Sequence, residues 1–195
     1  MIELPVPDPD DVLPTAYGVV LDAGRGTLPF ALLQGEPLVA CAAWSLGQTG
    51  VDLLDLGTPW AAIAEAEEPL VLHDALCPLA PPEFLAACLV EAVSADRPVL
   101  GARPVTDTVK RVEDGALGET LDRDALIAVA SPLVLPARVV ATLPDPGLDG
   151  PLDLAALAAS LADREQLVVA LAPPAARRVH DLDDVRLLEA GADRA

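Results

Sequence analysis

Residues 17–27 constrain the fold of this chain more than any other stretch. Tyr17-Gly-Val-Val-Leu21 is a short apolar run that ends in Asp22-Ala-Gly-Arg-Gly-Thr27, the pattern of a buried strand feeding a glycine loop. Pro37 then opens an apolar stretch of helical character, Leu38 to Leu46, with proline in its first turn. A strand, a glycine loop and a helix in that order begin a parallel α/β sheet, because a parallel neighbour is reached through a crossover, usually helical.

The rest of the chain keeps the alternation. Val51 to Leu56 and Pro69 to Leu72 read as short buried strands, the second running into His73-Asp74. Pro81-Pro82-Glu83 opens an amphipathic helix whose stripe is Phe84, Leu85, Cys88, Leu89, Ala92 and Val93. Val99 to Ala102 is a further strand. Thr108 to Val112, Leu117 to Leu121 and Leu126 to Val129 are β-rich pieces broken by turn residues such as Asp114-Gly115, expected as a hairpin region outside the main sheet. Pro144 to Pro151 reads as a loop, Leu152 to Ala162 as a helix, Leu167 to Leu171 as a strand, and Leu182 to Ala190 as a closing helix capped by Asp181. The expected fold is α/β: a mostly parallel, doubly wound sheet covered on both faces, with a small β-hairpin region.

At 195 residues the chain suits one domain. Residues 1–14 carry four prolines and four acidic residues and are expected to be a disordered acidic leader, leaving 15–195 as the single domain. With two Phe, two Trp and one Tyr, the core has to be aliphatic. The formal charge is −19 and Lys110 is the single lysine, so long-range repulsion argues against nucleic acid as a partner; genomic bias and solubility also account for such acidity. The first ten residues are acidic and Pro-rich rather than basic then apolar, and no apolar run approaches the ~20 residues of a membrane span. Cys41, Cys77 and Cys88 have no CxxC spacing. A cytoplasmic protein with reduced thiols and no membrane partner is expected.

Three segments carry chemistry. Ligands of an open α/β sheet lie beyond the carboxyl ends of its strands, where Gly24 and Gly26 would bring the loop backbone close to phosphates and Arg25 would add charge. A tight turn without a ligand has the same sequence. Asp74, at the next strand end, is placed to hold a divalent metal bridging phosphates, or merely to cap a turn; His73 would contact ligand or orient the loop. The stretch Arg103 to Arg111 gathers Asp107 and three of the chain's few cations, Arg103, Lys110 and Arg111, which suits phosphate or ribose contact or a local salt-bridge network with Glu113 and Asp114. Arg177-Arg178 is a second basic pair.

Read in order, Gly18-Val-Val-Leu-Asp-Ala-Gly-Arg-Gly-Thr27, Gly35-Glu-Pro-Leu38, Val71-Leu-His-Asp-Ala75, Pro104-Val-Thr-Asp-Thr-Val-Lys-Arg-Val112, Glu119-Thr-Leu-Asp-Arg123 and Arg178-Val-His-Asp-Leu-Asp-Asp-Val185 resemble the 2-C-methyl-D-erythritol 4-phosphate cytidylyltransferases. The resemblance implies a Rossmann-like nucleotidyltransferase fold of the nucleotide-diphospho-sugar transferase type, a three-layer sandwich. It implies CTP or another nucleotide and a small phosphorylated polyol as ligands, Mg²⁺ as cofactor, pyrophosphate release in isoprenoid precursor synthesis, and a homodimer. Carried over by position, Ala23, Gly24, Arg25, Gly26, Thr27 and Asp74 form the nucleotide site, with Asp74 also the metal contact. Asp107, Thr108 and Arg111 contact the second substrate, and Arg25, Lys110 and Arg178 are the catalytic cations.

The chain departs from the family pattern where charge matters. Leu28 stands at a family Arg, Pro29-Phe30 at a Pro-Lys pair, Cys77 at an Arg and Ala175 near a metal-binding Asp. The Gly-rich segment that grips base and ribose has no counterpart between Leu56 and Leu70. Losing one preorganised donor costs about 100- to 1,000-fold in rate, so transfer is expected to be weak or absent. An altered substrate, or a non-catalytic scaffold on the same fold, remain open readings.

Overall fold

The computed structural model describes residues 1–8, 10–55 and 57–192. Pro9 of the expected leader, Leu56 of the expected 51–56 strand and residues 193–195 of the expected domain lie outside the described residues. The strands are β1 (Tyr17–Leu21), β2 (Leu32–Leu33), β3 (Glu36–Pro37), β4 (Asp52–Leu53), β5 (Leu70–Asp74), β6 (Val99–Pro104), β7 (Val109–Glu113), β8 (Ala116–Leu121), β9 (Ile127–Leu135) and β10 (Val168–Leu171). The helices are α1 (Leu38–Gly47), α2 (Trp60–Glu65), α3 (Pro82–Ala95), α4 (Ala137–Thr142), α5 (Leu154–Ala162) and α6 (Leu182–Ala192).

Among the described residues, six strands form the main sheet in the order β10-β6-β9-β5-β1-β4. All its pairings are parallel except those of β9, which runs antiparallel to β5 and β6. The sheet is mostly parallel because helices carry the chain back across its faces. Every residue of β5 is buried, as a central strand covered on both sides requires. On one face Val71 and Val99 pack with Phe84, Leu85, Cys88, Leu89 and Ala92 of α3 and Leu46 of α1. On the other, Leu70, Leu72 and Leu133 pack with Ile63 of α2, Val139 and Val140 of α4, and Leu154, Ala158 and Leu161 of α5. Three layers result, and each fully buried leucine contributes about 1.5–3 kcal/mol.

Several elements differ from the sequence expectation. The Leu126 to Val129 piece is not part of the outlying hairpin; it begins β9, a nine-residue member of the main sheet. Ser131-Pro132 breaks the strand pattern in the sequence, but the β6–β9 pairing skips a step between Leu100 and Ala102, where the ladder tolerates a residue without an N–H. Gly101 is required there: a Cβ on it would lie 2.6 Å from the Ser131 carbonyl oxygen. The Val51 to Leu56 strand shrinks to β4, two exposed residues at the sheet edge. The helix after the 144–151 loop starts at Leu154, because Asp153 caps it by accepting from the amides of Ala155 and Ala156. The six-residue helices α2 and α4, each entered through a proline, had no periodic signal. The start of the leader is ordered: Ile2 pairs with β10, its amide donating to Val169 and its carbonyl accepting from Leu171.

β7 and β8 form the separate hairpin that the sequence led us to expect. Asp114 and Gly115 at its tip both have positive φ, 51° and 77°, as a tight two-residue hairpin turn demands. No helix among the described residues is long and apolar enough to cross a membrane.

Candidate functional site

The register of β1 on β5 sets Leu21 beside Asp74, so the glycine loop and the acidic strand end share one edge of the sheet. The loop turns through Gly24 at φ +76° and Gly26 at φ +61°, conformations that cost an L side chain about 1–2 kcal/mol. Gly24 also lies against Pro151, whose ring occupies the space a Cβ would need. Pro151 to Ala155, entering α5, thereby form the wall opposite the loop.

Asp74 is the centre of the arrangement. Its side chain is 5% exposed, and it is held by charge from two directions. Arg25 Nε donates to Oδ1 at 2.7 Å, the Leu76 amide donates to the same oxygen at 2.9 Å, and Arg178 Nε donates to Oδ2 at 3.1 Å. Burial alone would push the Asp74 carboxyl up, but the hydrogen bonds from Arg25 and Leu76 and the charges of Arg25 and Arg178 hold it below the ordinary carboxylate range. Arg25, itself 7% exposed, also donates to the carbonyls of Ala23 at 2.6 Å and Leu152 at 3.5 Å. Its guanidinium thus ties the loop to both the strand end and the opposite wall.

Arg178 reaches the site from the far end of the chain. The Val179 amide donates to the Leu76 carbonyl at 2.7 Å, and Val179 is fully buried with Leu33, Leu38 and Leu76. Asp184, in the first turn of α6, accepts from Arg177 and from the His180 amide, fixing the backbone that presents Arg178. The hydrogen bonds from His180, its amide first, and the charge of Arg177 hold the Asp184 carboxyl below its ordinary range against partial burial.

Behind Asp74, its amide donates to Ser131 Oγ at 3.0 Å, and Ser131 lies 2.5 Å from Nδ1 of His73. Ser131 Oγ thus bridges the Asp74 amide and the His73 ring, while Nε2 of His73 is buried without a hydrogen-bond partner. Burial drives the His73 pKa down to about 4, against the opposing charge of Asp74. His73 orients the strand end from the core; it faces no ligand space.

Arg25, Asp74 and Arg178 border a cavity of about 500 Å³ together with Ala23, Gly24 and the Pro151 to Ala155 wall. Two guanidiniums and two carboxylates, Asp74 and Asp153, border the cavity, so its lining is balanced in a chain of charge −19, and the two arginines supply the donors an anionic ligand would use. Gly26 and Thr27 lie exposed on the same loop. Asp107, Thr108, Lys110 and Arg111 do not line this cavity. They sit exposed on β7 and the link before it, with Lys110 donating to Thr120 and Arg111 paired with Glu119 and Glu113. Arg111 is thus paired within the hairpin, and the chain by itself does not bring these four residues to Asp74. Leu28 turns into the apolar cluster of Leu38 and Val179, Phe30 is 60% exposed, and the Cys77 thiol is buried and its pKa raised by burial.

A divalent ion does not fit the residues present. Both Asp74 oxygens face guanidinium donors, Asp153 Oδ1 caps α5, and among the described residues no three His, Cys, Asp or Glu side chains are grouped to hold a metal. The wall residues Pro151 to Asp153 were missed from sequence; the Pro/Gly-rich loop was the one signal there.

A mostly parallel sheet in three layers, with a glycine loop at the end of its first strand, defines the Rossmann-like nucleotidyltransferase class of fold. The family model for 2-C-methyl-D-erythritol 4-phosphate cytidylyltransferase matches residues 57–149. The enzyme of that name from Parasynechococcus marenigrum (strain WH8102) is 38% identical over 73 residues, 37% of this chain and 32% of that protein. The bifunctional enzyme IspD/IspF of Oleidesulfovibrio alaskensis is 36% identical over 128 residues, 64% of this chain and 29% of that protein. The chain therefore matches about a third or less of the length of these curated relatives. The crystal structure of the cytidylyltransferase from Thermus thermophilus superposes with TM-score 0.66 at 18% identity, covering 90% of this chain and 98% of that one; the synthase structure from Anaerococcus prevotii gives 0.65 at 15% identity, covering 92% and 98%. The chain is thus similar to the 2-C-methyl-D-erythritol 4-phosphate cytidylyltransferases over these stretches of sequence and shares their fold.

Proposed function

We propose that this chain is a cytidylyltransferase-type protein of isoprenoid precursor synthesis that retains the phosphate end of the nucleotide site and transfers a cytidylyl group weakly or not at all. The observation that carries the reading is the convergence of Arg25 and Arg178 on Asp74 at the mouth of the glycine loop. Two guanidiniums can neutralise the charge that develops as a phosphate is attacked and pyrophosphate leaves. The positions that would add further cations hold Leu28, packed into an apolar cluster, and Phe30. No residue of 57–69, where the family grips base and ribose, borders the cavity, so the base contributes little to affinity. Magnesium, expected from the resemblance, has no fitting donor set, and no step is assigned to it.

The small phosphorylated polyol would approach from the side of Asp107, Thr108 and Arg111, which this chain holds outside its own cavity. A homodimer belongs to the proposal: the β7–β8 hairpin exposes Val112 and Leu117, and an isolated two-stranded hairpin is marginal in water. Three free thiols support a cytoplasmic setting.

The test is pyrophosphate release from CTP and 2-C-methyl-D-erythritol 4-phosphate, with sedimentation recording the oligomeric state. Release no faster than a heat-inactivated control is expected. Robust release by the wild-type chain, abolished in Arg25→Ala, would overturn the weak-transfer reading and make Arg25 the replacement cation.

A further inference from the structure

The donor set around Asp74 bears on what form of ligand the cavity takes. A carboxylate binds a divalent ion through lone pairs that face open space or other anions. Here Oδ1 accepts from Arg25 at 2.7 Å and from the Leu76 amide at 2.9 Å, while Oδ2 accepts from Arg178 at 3.1 Å. A dication at either oxygen would sit against a guanidinium of like charge in a site where Arg25 is 7% exposed and water screens little. Asp153, the other acid on the wall, commits Oδ1 to the amides of Ala155 and Ala156.

From this we infer that the cavity takes a polyphosphate as the free anion rather than as its magnesium complex, with Arg25 and Arg178 as its charge partners and Asp74 as the resident counter-ion those two arginines hold when no ligand is bound. The inference rests on the reading of the cavity as a phosphate site. A phosphate oxygen accepts from the same guanidinium donors as a carboxylate, so ligand and Asp74 compete for Arg25 and Arg178. Arg178, 33% exposed against 7% for Arg25, is the arm free to swing to the ligand first. Asp74 then weakens binding, whereas a metal ligand at this position would strengthen it. The two roles give opposite signs.

The experiment is isothermal titration of inorganic tripolyphosphate and of CTP into the full chain, once with EDTA and once with excess magnesium, for the wild type, Asp74→Asn and Arg178→Ala. We expect binding in EDTA, several-fold weaker apparent binding in magnesium as the metal sequesters the free anion, and loss of about ten-fold or more in Arg178→Ala. Asp74→Asn should bind tripolyphosphate about ten-fold tighter or better, since it removes a unit charge a few ångströms from the ligand. Asn keeps the acceptor for the Leu76 amide; if burying Arg25 without its counter-ion still prevents folding, the wild-type and Arg178→Ala titrations decide alone. Binding that requires magnesium, or that Asp74→Asn abolishes in a folded protein, overturns the inference and leaves the phosphate site standing. Absence of binding under both conditions overturns the phosphate site and the inference with it.

Discussion

Acidification should unfold this protein through His73 before its carboxylates titrate. The ring is fully buried on β5, shares a hydrogen bond with Ser131 through Nδ1, and has its pKa lowered from the ordinary 6.5 to about 4, chiefly by burial. Because the folded value lies below the unfolded one, the unfolded chain binds the extra proton between those limits. Stability is therefore complete above pH 6.5 and falls as pH drops toward 4. Over the 2.5 pH units between 6.5 and about 4, at about 1.4 kcal/mol per unit, the loss is about 3 kcal/mol. Asp74, whose folded pKa is depressed, adds its own loss only as pH falls below its unfolded value of about 3.9, so the two windows separate. Urea unfolding at pH 7, 6, 5 and 4.5 measures the slope, with His73→Gln as the comparison, since a glutamine amide can donate to or accept from Ser131 but does not titrate. The variant should be less stable at pH 7 and lose far less on acidification; His180 is present in both proteins and cancels. Equal slopes for the two proteins would refute the account of His73 as a buried neutral base.

Other perturbations separate the parts of the site. Gly24→Ala should lower Tm by several degrees and abolish CTP binding, because a Cβ there meets Pro151 and φ is +76°. Gly26→Ala, with no atom within 4 Å of the new Cβ, should carry only the conformational cost of about 1–2 kcal/mol; equal thermal shifts would mean that the contact with Pro151 is unimportant. Phe30→Lys, at an exposed position, should leave Tm unchanged, while Leu28→Arg lowers it by opening the cluster of Leu38 and Val179. The double variant, where it folds, should release pyrophosphate faster than the wild type, and an unchanged rate would show that missing charge at these positions is not what limits transfer.

The site was legible in the sequence where local pattern and sheet topology determine it. A strand ending in Gly24-Arg25-Gly26 and a second ending in Asp74 become neighbours once the sheet is parallel, and their register follows from the buried faces of β1 and β5. Arg178 lies 104 residues from Asp74, and it was placed by resemblance of the tail. The Pro151 to Ala155 wall was not legible, because its position comes from Leu148 and Leu154 packing into the core, a tertiary fact with no period. β9 was truncated by Ser131-Pro132, whose tolerance depends on the bulge opposite Gly101. The cluster at Lys110 and Arg111 looked like a ligand site because charge is scarce in this chain, yet on the hairpin those side chains find Thr120, Glu113 and Glu119. Scarcity along the sequence said nothing about partners across a turn.

The central claim is that Arg25 and Arg178 hold nucleotide phosphates at the glycine loop. The most direct measurement is the dissociation constant of CTP for the wild type, Arg25→Ala and Arg178→Ala, with Arg186→Ala as a control on α6, since Arg186 pairs with Asp183 outside the cavity. Removing one charge-assisted hydrogen bond worth about 1.5–3 kcal/mol should weaken CTP ten-fold or more. The account predicts that loss for both site arginines and none for Arg186→Ala; equal affinity in all four proteins would contradict it.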